Sequence, residues 1–212
     1  PDLMRQCFDY GASGAIIKTL TDIEDMARLT ENSKYCVMNS KGDIIRGKAA
    51  RDFVFYSRSG YSSTYYKDWI PDLIETQKYA AERGAHLIGS AGAKDINGWK
   101  DICRTIEDCG LPMVELNFGC PHGMAERGMG AAVGQVPEYI EMVTRWVKKH
   151  SRMPCIVKLT PNISDIRKPA EAAKRGGADA VSLINTINSI TSVDLDDFAP
   201  EPTIDGKGTH GG

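Results

Sequence analysis

The sequence lacks most of the features that mark specialised chains. No stretch approaches the roughly 18 apolar residues that a membrane-crossing helix needs, and no signal-peptide pattern opens it. Excess charge is also missing: a formal net charge of −2 over 212 residues gives no basic field for nucleic acid or an anionic membrane surface. The six cysteines, Cys7, Cys36, Cys103, Cys109, Cys120 and Cys155, form no C-x-x-C pair. Their apolar or helical settings predict reduced thiols in a cytoplasmic protein rather than a disulfide scaffold. The four histidines make no metal-ligating set, so no metal site is expected. Gly206-Lys207-Gly208-Thr209 lacks the spacing of a triphosphate-binding loop. Internal repeats, low-complexity stretches and linkers are absent as well, which predicts one domain over residues 1–212. Pro1-Asp2 stands without an initiator Met and the chain stops at Gly211-Gly212, so truncation is expected at both ends.

What is present is an ordinary globular balance, 42% hydrophobic and 25% charged, arranged in alternation. Short apolar runs at 14–19, 86–91, 113–118, 155–160 and 178–184 read as strands buried on both faces. Amphipathic stretches separate them, the signature of repeated βα units around a parallel sheet. A helix over about 3–10 precedes the first strand. Asn97 is placed to cap a helix whose Trp99, Ile102, Cys103 and Ile106 share one face. Pro137 suits the first turn of a helix striped by Ile140, Val143 and Val147, ending near Lys148-Lys149-His150, where cations favour a helix C-terminus. Ser164 is the expected cap of the next helix, with a left-handed stop at Gly176-Gly177. Residues 33–75 show no clean period and read as an irregular insertion or lid loop, with Tyr61, Tyr65, Tyr66 and Trp69 as an aromatic cluster.

In a parallel α/β barrel, reactive side chains collect where the strands end. Lys18, Asn117, Lys158, Asn185 and Thr186 each fall at such a position. A lysine inside an apolar run is costly to bury unless an anionic or electron-rich partner meets it. Cys103, Cys109 and Cys155 read as small core residues. Cys120 differs, because it sits between Gly119 and Pro121 in a loop that also holds Gly123, Gly128, Gly130 and Gly134. It is a candidate catalytic thiol. His122 either assists it or has a structural role in the loop.

The run Glu115-Leu116-Asn117-Phe118-Gly119-Cys120-Pro121-His122-Gly123-Met124 resembles the active-site loop of dihydropyrimidine dehydrogenases and, more distantly, class 1 dihydroorotate dehydrogenases. Ile17-Lys18-Thr19, Val157 to Asn162, Gly176 to Asp179 and Ile184-Asn185-Thr186 resemble the same family in the same order. The resemblance implies a (β/α)8 barrel, of which the chain holds about strands 2 to 6, and a non-covalent FMN at the barrel mouth. Lys18, Thr19, Lys158 and Asn117 would hold the flavin, with Lys158 near its N1/O2 edge. Asn117, Asn185 and Thr186 would bind a pyrimidine-like substrate, because amides offer both donor and acceptor. Cys120 would be the acid/base at the ring carbon next to the one that exchanges hydride. The implied reaction is uracil or thymine to the 5,6-dihydro form. Dihydroorotate oxidation is the alternative, and a non-catalytic scaffold or electron-transfer barrel is the reading from another class. Iron–sulfur centres, if the protein uses them, belong to regions or subunits outside this chain. An oligomer or an electron-transfer partner subunit is expected. Two positions depart from the family: Gly119 stands where it has Ser, and Tyr66 where its dihydropyrimidine members carry Asn.

Overall fold

Apolar runs too short for helices pair as parallel strands, and the stretches with a 3.6-residue stripe fold back across them. The structure is a computed structural model that describes residues 1–23, 34–45, 48, 51–58, 60–119, 131–201 and 210–211. Helix α1 (Asp2–Asp9) leads into strand β1 (Gly14–Ile16). Strands β2 (Lys34–Asn39) and β3 (Phe53–Arg58) precede a 3-10 turn at Tyr66–Trp69 and helix α2 (Ile70–Ala81). Then come β4 (His86–Ala91), α3 (Ile96–Asp108), β5 (Val114–Asn117), α4 (Ala131–Gly134) and α5 (Pro137–His150). β6 (Cys155–Lys158), α6 (Arg167–Gly176) and β7 (Ala180–Ser182) follow. Four two-residue strands complete the order: β8 (Ile187–Asn188), β9 (Ser192–Val193), β10 (Pro200–Glu201) and β11 (His210–Gly211).

Strands β1, β4, β5, β6 and β7 form one parallel sheet in that spatial order. Sequential parallel neighbours joined by helices are the wiring of a barrel, here present as a curled five-stranded part. The central strand β5 is buried along its whole length, whereas β1 and β7, at the sheet edges, are largely exposed. The expectation of strands buried on both faces therefore fails at these two, because each has a hydrogen-bonded neighbour on one side only.

On α3, Trp99, Ile102, Cys103 and Ile106 all turn inward, as their spacing predicts. Ile140, Val143 and Val147 do the same on α5. Each fully buried aliphatic side chain of this kind stabilises the fold by about 1.5–3 kcal/mol. Cys103, Cys109 and Cys155 are buried thiols, and burial pushes the Cys155 thiol up to about 12.

Two caps differ from expectation. Asp95, not Asn97, caps α3, its Oδ1 accepting from the Asn97 and Gly98 amides at 3.0 Å each. Helix α6 starts at Arg167, past Ser164, and Asp165 Oδ1 accepts the Arg167 amide at 3.1 Å. The stop at Gly177 is left-handed, with φ +93°.

The described residues within 33–75 are more regular than their pattern predicts. β2 and β3 pair antiparallel from Lys34↔Arg58 to Asn39↔Phe53, and Tyr35 stacks on Phe55 with centroids 5.5 Å apart. Both strands carry apolar residues on both faces, so alternation is invisible in the sequence and pairing alone orders them. β11 joins β3 to β8, making a second, four-stranded sheet.

Candidate active site

The five strand ends converge on one cavity of about 250 Å³. Its lining holds Lys18 and Thr19 after β1, Ser90 on β4, Glu115 and Asn117 on β5, Lys158 on β6, and Asn185 and Thr186 beyond β7. Ser57 on β3, Gly60 and Tyr61 come from the 33–75 segment. Lys18, Thr19, Asn117, Lys158, Asn185 and Thr186, all singled out by sequence, are thus brought together. Cys120 and His122 lie outside the described residues.

Parallel register sets the heights. Asn117 pairs with Lys158 and Lys158 with Ser182, so three side chains stand level across β5, β6 and β7. One step lower, Ser90 pairs with Glu115. Because strand side chains alternate, Glu115 and Asn117 occupy the same face of β5.

A hydrogen-bonded ladder crosses the cavity floor. The Ser90 and Thr19 hydroxyls lie 2.9 Å apart, and Asn117 Nδ2 donates to Thr19 Oγ1 at 2.9 Å. Asn117 Oδ1 accepts from Asn185 Nδ2 at 2.9 Å and from the Gly119 amide at 3.1 Å. Asn185 Oδ1 accepts the Thr186 amide at 2.8 Å and the Thr186 hydroxyl at 3.3 Å. Both amide oxygens are therefore filled, while among the described residues each amide nitrogen makes one bond and retains one N–H. Local bonds within the protein consume the acceptors.

The ladder is held from outside the cavity. Phe118 is buried and meets Trp99 edge-on, centroids 5.3 Å apart at 70°, which fixes the end of β5 beside Asn117. Gly134 packs directly on the Phe118 carbonyl, where a Cβ would have no room. At Gly119 a Cβ would lie 2.6 Å from Asn185 Cβ, so this position and the Asn185 rotamer are coupled. Asn162 Nδ2 donates to the Thr186 carbonyl at 3.0 Å and Asn162 Oδ1 accepts the Asn188 amide at 2.9 Å, bracketing the Asn185–Asn188 segment. Ser62 donates its amide to the Thr19 carbonyl at 2.9 Å and accepts Trp69 Nε1 at 2.6 Å.

Tyr66 does not line the cavity. It is only 4% exposed, packs on Tyr65 with centroids 4.8 Å apart, and burial raises its hydroxyl to about 12. Among the described residues, the aromatic residue of this segment at the cavity is Tyr61, packed against Gly92. Sequence reasoning also passed over Ser90 and Glu115. Glu115 carried a signal, a carboxylate between Val114 and Leu116 in a strand buried at every position. It is 2% exposed, and burial holds its carboxyl above the usual range despite the nearby Lys158 charge and a hydrogen bond from Ser182.

A part-barrel whose strand ends carry lysines, amides and hydroxyls over one cavity belongs with the barrel enzymes that bind ligands at this face. More narrowly, residues 54–212 match the model of the dihydroorotate dehydrogenase family, and the chain belongs to that family. Dihydropyrimidine dehydrogenase (NADP(+)), chloroplastic, of Arabidopsis thaliana is 30% identical over 213 residues, covering 99% of this chain and 48% of that protein. NAD-dependent dihydropyrimidine dehydrogenase subunit PreA of Escherichia coli (strain K12) is 42% identical over 126 residues, 59% of this chain and 30% of that one. The catalytic subunit of dihydroorotate dehydrogenase B (NAD(+)) of Alkaliphilus oremlandii is 48% identical over 90 residues, 41% of this chain and 29% of that one. The chain spans less than half the length of these curated relatives. Among the described residues no helix is long and apolar enough to cross a membrane.

Proposed function

We propose that the protein is an FMN-dependent dehydrogenase acting on the CH–CH or C=C bond of a cyclic amide, with a dihydropyrimidine/pyrimidine pair as its substrates. The observation that carries this reading is the ladder Ser90–Thr19–Asn117–Asn185–Thr186 between Lys18 and Lys158 on one cavity. Its lining suits the ring of a flavin: the leftover N–H groups and two cations face a ligand edge rich in carbonyl and ring-nitrogen acceptors. Lys18, Thr19, Asn117 and Lys158 would hold that ring, and FMN would supply two-electron chemistry when bound. Asn117, Asn185 and Thr186 would orient the substrate through its ring carbonyls. Cys120, three residues beyond Asn117, would give or take the proton at the substrate carbon. A thiol suits the role because its unperturbed pKa, about 8.5, lies near physiological pH. The pairing of relatives with named subunits supports a partner that exchanges electrons with this barrel.

The test is a screen of the full natural protein with uracil, thymine, their dihydro forms, orotate and dihydroorotate, following flavin absorbance. Bleaching or recovery with the pyrimidine pair is expected. A response to dihydroorotate alone assigns the other substrate of the family, and a protein purified without flavin that takes up none overturns the cofactor. Cys120→Ala is expected to keep FMN and lose at least about a hundredfold in turnover. Full activity in that variant at neutral pH would remove Cys120 from the mechanism.

A further inference from the structure

Among the described residues Glu115 is the one carboxylate on the cavity wall, and the roles above do not use it. It stands on the same face of β5 as Asn117, with Lys158 level with Asn117 on the next strand. The Ser182 hydroxyl, across β6 on β7, acts on its carboxyl. Its Oε2 is fully buried and has no hydrogen-bond partner. A carboxyl oxygen left so costs on the order of 1–3 kcal/mol, and more when charged, so the fold retains it only if something repays that elsewhere. Lys158 lines the same cavity, and its charge acts on the Glu115 carboxyl. An ammonium on a four-carbon stem has three donors and many rotamers, and a fixed acceptor beneath it selects among them.

We propose that Glu115 is a positioning residue for Lys158: its unpartnered, buried oxygen on the same sheet face draws the Lys158 ammonium when a ligand fills the cavity and holds it at the ligand-facing end. The assignment rests on the flavin reading above. It gives Lys158 a counter-charge, which weakens the pull of that lysine on negative charge in the ring. Glu115 therefore sets how strongly the site favours electron uptake, without touching substrate.

The experiment measures the midpoint potential of bound FMN at pH 8 in the full natural protein, its Glu115→Gln and Lys158→Met variants, and the double variant. Glutamine keeps the shape and an acceptor oxygen while removing the charge. Glu115→Gln is expected to favour the reduced cofactor about tenfold, a rise of ~30 mV for a two-electron couple. In the Lys158→Met background the same change is expected to do nothing, because a buried carboxyl without its cation takes up a proton and is already neutral. No shift in the first background, or equal shifts in both, overturns the positioning role. A wild-type protein that binds no FMN instead overturns the flavin reading, and the Glu115 assignment with it. Should Glu115→Gln fail to fold, Ser182→Ala serves: loosening the carboxyl is expected to move the potential upward by a smaller amount, and an unchanged potential there also sinks the idea.

Discussion

Asn117 illustrates how one side chain can organise a site without a charge. Its oxygen accepts two bonds and its nitrogen donates to Thr19, so its remaining N–H is held in a fixed direction. Asn117→Ala leaves the Gly119 amide and the Asn185 amide without their acceptor, and a loss of about 1–3 kcal/mol is expected in urea unfolding. Weaker FMN binding should accompany it, measured by retention of absorbance on gel filtration. Gly119 is the complementary case. The family resemblance puts Ser at this position, but in this structure any Cβ there crowds Asn185 Cβ at 2.6 Å. Gly119→Ser should displace Asn185 and cost about 1–3 kcal/mol as overpacking, and a variant as stable as wild type with unaltered substrate affinity would show that the loop yields freely.

Elements were legible in the sequence wherever one face had to be buried. The stripes on α3 and α5, and the apolar runs that became β4, β5 and β6, needed no tertiary information. Caps were less legible, since Asp95, Asn97, Ser164 and Asp165 are all competent and the helix axis decides which oxygen reaches the free amides. Asp95→Ala is expected to lower stability by about 0.5–2 kcal/mol, and Asn97→Ala by much less, in parallel denaturation curves. Asn162 acts between elements, tying the loop after β6 to the Asn185–Asn188 segment. Asn162→Ala should speed amide exchange at Asn188 and raise the substrate KM, while the amides of α5 exchange as before. Unchanged exchange at Asn188 would mean that the bracket is not needed.

At the scale of the whole molecule, two sets of carboxylates tilt stability with pH in opposite directions. Asp9, beside Tyr79 and Arg83, Glu141 beside Arg175, Asp165 beside Arg167, and Asp179 beside Lys148 and the Cys155 amide all lie below their ordinary values. Their folded pKa values are depressed, so what they contribute is complete above about pH 4 and is lost as pH falls through those values. Asp9 and Asp179 are about half exposed and Glu141 and Asp165 about a quarter, so salt should shrink the effect. Glu115 and Asp22, raised by burial, act the other way: the stability linked to them is complete at low pH and is lost as pH rises through their folded values. Glu115→Gln should therefore help stability more at pH 8 than at pH 4, and denaturation midpoints at the two pH values check the sign. The sequence by itself determined the βα alternation, the core faces and the identity of five polar residues at strand ends, because periodicity and apolar context are local. Only the tertiary structure decided that those residues share one cavity, since convergence depends on strand register, which no single segment encodes. It also decided that both amide oxygens are taken up by bonds within the protein, that Tyr66 belongs to the core, and that Glu115 shares a sheet face with Asn117 and Lys158, because each of these depends on neighbours distant in the chain.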